Sequence, residues 1–193
     1  MKVAIYLSGI PKRSNNAQKK DILKRWGIGI EKKGDEAILV NDYNIVNADL
    51  AIVQGYVHEN SKNAPHLQMR YSVIQHQRKQ GKHTLILDSN LYGFLAEHDF
   101  NRYLRYSLNG IFPTDSLYFD SNRDMSRWLS IKKSYGFVEQ EYSKHSNGPI
   151  LICLQRDSGW SMGGTDTLLW LDSTINCIRQ HTSRHIIIRS HPG

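Results

Sequence analysis

Short apolar runs alternate with longer stretches in which apolar residues recur every three or four positions. Residues 3–7 form a first apolar run. From about Asn16, a plausible N-cap, the residues Ile22, Leu23, Trp26 and Ile30 fall on one side at helical spacing, with Lys20, Lys24, Arg25 and Lys32 opposite. Gly27 and Gly29 weaken the later turns, and Gly34 is a natural stop. Residues 37–40 and 49–54 read as the second and third strands, 65–80 as a second helix ended by Gly81, and 84–88 as the fourth strand. Residues 100–108 and 123–133 read as helices, and 111–119 as holding a short extended piece. Further on come a strand at 149–155, a helix at 165–181 and a strand at 185–189.

Strand and helix in alternation predict an α/β protein with a doubly wound parallel sheet. The strands are continuous apolar runs, as expected where both faces of a sheet are covered. Residues 1–140 read as one Rossmann-like domain and 141–149 as a polar linker with Ser, Asn, Gly and Pro. Residues 150–193 read as the strand–helix–strand beginning of a second Rossmann-like domain. One such unit cannot close a sheet or cover both its faces.

Charge changes the picture more than composition does. Residues 1–33 hold nine Lys and Arg against two Asp and Glu, whereas residues 34–193 hold sixteen of each. The net charge of +7 therefore lies entirely in the first segment. Lys12, Arg13, Lys19, Lys20, Lys24 and Arg25 form a face that attracts phosphate backbones, unless it is an ordinary solvated helix surface. No run approaches the ~20 apolar residues of a membrane span. The N-terminus reads as a strand, not a signal peptide. Cys153 and Cys177 read as reduced core residues on a strand and a helix, which suits a cytoplasmic protein. No Cys/His cluster has zinc spacing, so no metal is expected.

Ligands of parallel sheets bind beyond the carboxyl ends of the strands. That edge collects Ser8-Gly9, Gln54-Gly55, Asp88-Ser89-Asn90, Gln155-Arg156 and Arg189-Ser190-His191. Asp88 is placed to take a proton from an acceptor hydroxyl, or else merely to cap the segment that follows. His58 and His66 flank the loop after the third strand and are further candidate bases. Arg102 and Arg105 alternate with Tyr103 and Tyr106, a pattern for gripping phosphate or stacking on a base, or for a helix with its aromatics inward. The usual G-x-G-x-x-G and P-loop fingerprints are absent. In the second unit, Gly159, Gly163 and Gly164 let backbone approach a ligand ahead of a helix N-terminus, which Thr165 or Ser161 would cap. Arg156, Arg189 and His191 add positive groups suited to a diphosphate.

Gln155-Arg156-Asp157-Ser158-Gly159-Trp160-Ser161-Met162, followed by a helix and Ile188-Arg189-Ser190-His191-Pro192-Gly193, resembles the start of a GT-B glycosyltransferase donor domain. Residues 48–55 and 103–110 resemble a tailed-phage branch that places glucose or arabinose on modified cytosines of DNA. The resemblance implies two Rossmann-like domains, the acceptor in the first and a UDP-type nucleotide sugar in the second, with no bound cofactor. It places donor-phosphate contacts on Arg156, Gly159, Ser161, Arg189 and His191, and DNA on the basic first segment. It implies a cytoplasmic location, that of the infected host for a phage protein, and no membrane partner. A donor domain extends for roughly another hundred residues, so the remainder is expected from a longer chain or another subunit. The alternatives are a non-catalytic nucleic-acid-binding module and a surface-polysaccharide glycosyltransferase.

Overall fold

The structure is a computed structural model that describes residues 1–11, 17–57, 59, 63–89, 92, 103–112, 124–140, 147–157, 162 and 165–191. The chain divides into two compact units, Met1–Phe137 and Val138–Gly193.

Unit 1 holds β1 (Lys2–Tyr6), α1 (Ala17–Glu31), β2 (Glu36–Val40), β3 (Leu50–Gln54), α2 (Pro65–Lys79), β4 (His83–Asp88), β5 (Arg105–Leu108) and α3 (Ser126–Tyr135). Its sheet has the order β2-β1-β3-β4-β5. The first four strands are parallel, and β5 runs antiparallel to β4 at the edge. The sheet is thus mixed and mostly parallel.

Strand alternation divides the core in two. Val3, Ile5, Leu7, Ile52 and Leu87 meet Leu23, Trp26 and Ile30 of α1 on one face. Ala4, Tyr6, Ala51, Val53 and Ile86 meet Met69, Val73 and Ile74 of α2 on the other. This two-sided burial is why the strands read as unbroken apolar runs. Gly27 does not interrupt α1 and is buried against Ile5 and Leu39, where a Cβ would stand in ordinary contact, 3.4 Å from Ile5 Cδ1. Gly34 and Gly81, just after α1 and α2, take left-handed φ of 85° and 65°.

The helix expected over 100–108 is corrected for its described part. Residues 105–108 are β5, with Arg105 opposite Asp88 and Leu108 opposite Leu85. The turn beyond is held by Asn109, at φ 66°, whose Oδ1 accepts from the Thr84 amide. The hydrogen bonds that decide strand against helix come from β4, some twenty residues away, and local periodicity does not encode them. Residues 113–119 of the extended piece, the Asn16 cap and linker residues 141–146 lie outside the described residues.

Unit 2 holds β6 (Ile150–Cys153), α4 (Thr167–Arg179) and β7 (Ile186–Arg189). The two strands pair in parallel, Ile150 with Ile186 through Cys153 with Arg189. Among the described residues, one helix and two strands enclose little. Leu171 is buried, but Leu151, Leu168 and Leu169 are exposed. Cys153 and Cys177 are free thiols and are exposed, not the core residues expected. Among the described residues, no helix is long and apolar enough to cross a membrane.

Candidate functional site

In unit 1, α1 leads from β1 outward to β2, and α2 leads from β3 the opposite way to β4. The winding therefore reverses between β1 and β3, where neighbouring connections diverge and a crevice opens at the carboxyl edge. Ser8-Gly9 follows β1 here, Gln54 ends β3, and Gly55 comes next.

Arg70 of α2 occupies this crevice. Its Nε donates to the Gly9 carbonyl at 2.6 Å. A Cβ on Gly55 would stand 2.7 Å from its Nη1, and one on Gly9 would stand 3.1 Å from its Cγ. The two glycines thus make the space the guanidinium fills. Burial pushes the Arg70 pKa down to about 10, and the negative charge of Asp88 opposes the shift. Among the described residues Arg70 has no ion-pair partner. Ser8 Oγ and Gln54 Oε1, at the two strand ends, are buried without a hydrogen-bond partner. Sequence reasoning passed over Arg70. Its one signal was the four-residue spacing from His66, which places both on one side of α2.

Asp88, at the end of β4, forms a salt bridge with Arg105 of β5, Oδ2 to Nη2 at 2.5 Å. Arg105 Nε also donates to the Ser89 carbonyl. The pair fixes the carboxylate in place through Oδ2 and, among the described residues, leaves Oδ1 for another donor. Asp88 is thus held by tertiary pairing with β5. Tyr106 points to the other face. There the Arg127 guanidinium lies 5.1 Å from its ring centroid, and Trp26 meets it edge-on at 5.9 Å. The alternation of arginine and tyrosine is thus split across the two sides of β5. His58 and Arg102 lie outside the described residues.

On α1, Lys24 and Arg25 are exposed, Lys19 and Lys20 are half-buried, and Lys24 Nζ lies 3.8 Å from Asp21. Lys12 and Arg13 lie outside the described residues.

In unit 2, a hollow of about 440 Å³ opens beyond the carboxyl ends of β6 and β7, lined among others by Arg156, Asp157, Asp166, Thr167, Ser190 and His191. It brings Arg156 and His191 together. Arg189, paired in register with Cys153, does not line it. Gly159, Ser161, Gly163 and Gly164 lie outside the described residues. The expected cap is corrected. Asp166 caps α4, its Oδ1 accepting from the amides of Leu168 and Leu169 at 2.8 and 3.0 Å. Asp is as good a cap as Ser or Thr, and it takes the amides an anion would otherwise use. Thr167 Oγ1 donates to Asp157 at 3.3 Å. The hollow is therefore of mixed charge.

Gly159-Trp160-Ser161-Met162-Gly163 also has the spacing of a hydrolase nucleophile elbow. Such an elbow joins a strand directly to a helix, whereas Ser161 stands eight residues past β6 and six before α4. Among the described residues, no group of three His, Cys, Asp or Glu gathers as for a metal ion. No protein-family model and no curated protein matches the chain.

Proposed function

We propose that the chain transfers a sugar from a UDP-type nucleotide sugar to a hydroxyl on modified cytosine in phage DNA. The observation that carries this reading is the hollow at the ends of β6 and β7, where Arg156 and His191 converge beside Thr167 and Ser190. Its position is that of nucleotide sites in parallel sheets, and its residues are those on which the resemblance to GT-B donor domains rests. Within unit 2, Arg156 and His191 offset charge on the departing diphosphate. Within unit 1, Asp88 is the candidate proton acceptor for a hydroxyl. Lys24 and Arg25 hold the DNA backbone.

One observation favours a second reading, a non-catalytic nucleic-acid-binding module. Asp157 and Asp166 face the same hollow and repel a diphosphate. Incubation with labelled UDP sugars and DNA carrying modified cytosine separates the two. Transfer, reduced about a hundredfold or more in Asp88→Asn, is expected of the transferase. Neither transfer nor donor hydrolysis rejects it.

Joint replacement of Lys19, Lys20, Lys24 and Arg25 by Gln tests the DNA partner. Affinity for a DNA duplex is expected to fall, and the slope of log affinity against log salt to shrink by about 0.9 for each phosphate that is no longer neutralised. An unchanged slope rejects both DNA readings. No DNA binding by the parent protein at low salt shifts the acceptor to a glycan.

A further inference from the structure

We propose that the crevice between the carboxyl ends of β1 and β3 binds the phosphoryl group of a small phosphorylated molecule, anchored by Arg70. The site lies in unit 1 alone and does not depend on sugar transfer.

Among the described residues the anchor has no ion-pair partner. Burying a charge is costly unless it is paired, yet Arg70 rests on a neutral carbonyl, that of Gly9. Its η nitrogens, beside Gly55, have no hydrogen-bond partner among the described residues. A guanidinium presents a planar fork of donors that matches two phosphate oxygens. Gly9 and Gly55, just past the two strands that flank the crevice, give the fork its place.

The orphaned polar atoms are an independent observation. Gln54 is 4% exposed, and its Oε1 has no partner. Ser8 Oγ is likewise buried and unpaired. Buried polar atoms in folded proteins are paired in the great majority of cases. Gln54 pairs in register with Leu87 and so faces the α1 side of the sheet, whereas Ser8 Oγ is the orphan beside Gly9, whose carbonyl Arg70 holds. The Ser8 hydroxyl can donate to a phosphate oxygen.

The surroundings limit the occupant's size. A hollow of about 280 Å³ meets the crevice at Ser8, with Lys20, Asn41, Asp42, Tyr43 and His66 also among its lining residues. Small-molecule sites begin at roughly 300 Å³, so the space suits a compact molecule. Lys20 and His66 are basic groups at its rim. Asp42, the acidic group there, is engaged by the Asn44 amide and Nδ2 at 3.1 and 2.9 Å.

Calorimetric titration of the full chain with ribose 5-phosphate, inorganic phosphate and ribose tests the site. Binding is expected for the first two and not for ribose, with ribose 5-phosphate the tighter. Arg70→Gln is expected to weaken ribose 5-phosphate about tenfold or more, Arg70→Lys less, and Lys20→Gln, away from the core, only a few-fold. Melting of each variant without ligand establishes that it is folded. Wild-type affinity in both Arg70→Gln and Lys20→Gln overturns the proposal, as does no binding of either phosphate compound. Equal affinities for phosphate and ribose 5-phosphate overturn the assignment to an organic phosphate.

Discussion

Leu87→Ala is expected to cost unit 1 about 2–5 kcal/mol of unfolding free energy. Leu87 is fully buried on β4, between β3 and β5, and belongs to the cluster under α1. Truncation strips away apolar packing and leaves a cavity among the side chains of that cluster, which relax only partly to fill it. The matching change in unit 2, Leu151→Ala on β6, is expected to lie within about 0.5 kcal/mol, because Leu151 is 56% exposed. Urea unfolding followed by circular dichroism measures both. Equal losses would mean that the protein buries Leu151 as deeply as Leu87.

Gly55→Ala is expected to destabilise by about 2–4 kcal/mol, combining left-handed strain with overpacking. Gly55 has φ 87°, and its added methyl would stand 2.7 Å from Arg70 Nη1. Gly34→Ala separates the two contributions. Its φ of 85° is nearly the same, but nothing lies within 4 Å of the added methyl. It is expected to cost only the backbone part, about 1–2 kcal/mol. Adding Arg70→Ala to Gly55→Ala is expected to recover much of the difference, since the clash loses its partner. A double-mutant cycle that is additive within about 0.5 kcal/mol would show that Arg70 does not hold the position described here.

The candidate residues were legible to unequal degrees. Asp88 was found because an acidic residue ending an apolar run stands at the carboxyl edge of a parallel sheet wherever that run is a strand. Its salt bridge to Arg105 was not, because that needed β5 to be a strand running the opposite way. Arg156 and His191 were grouped from the same edge argument, and both line the hollow in unit 2. The accompanying carboxylates Asp157 and Asp166 were overlooked. Asp166 spends its side chain on two helix amides, a role that local spacing permits equally to Thr165. The cysteines were misread as core because an apolar strand and helix were assumed to be covered on every side.

By itself the sequence determined where the helices and most strands lie, since periods of 2 and 3.6 residues are written in near neighbours. Gly34, Gly55 and Gly81 marked turns because their left-handed backbone disfavours a side chain. Only the tertiary structure decided the direction of β5 and the site around Arg70. The Arg70–Gly9 hydrogen bond joins residues 61 positions apart, and the crevice exists because α1 and α2 cover opposite faces of the sheet. Such placement follows from sheet order, a property of the assembled strands that no single stretch of chain carries.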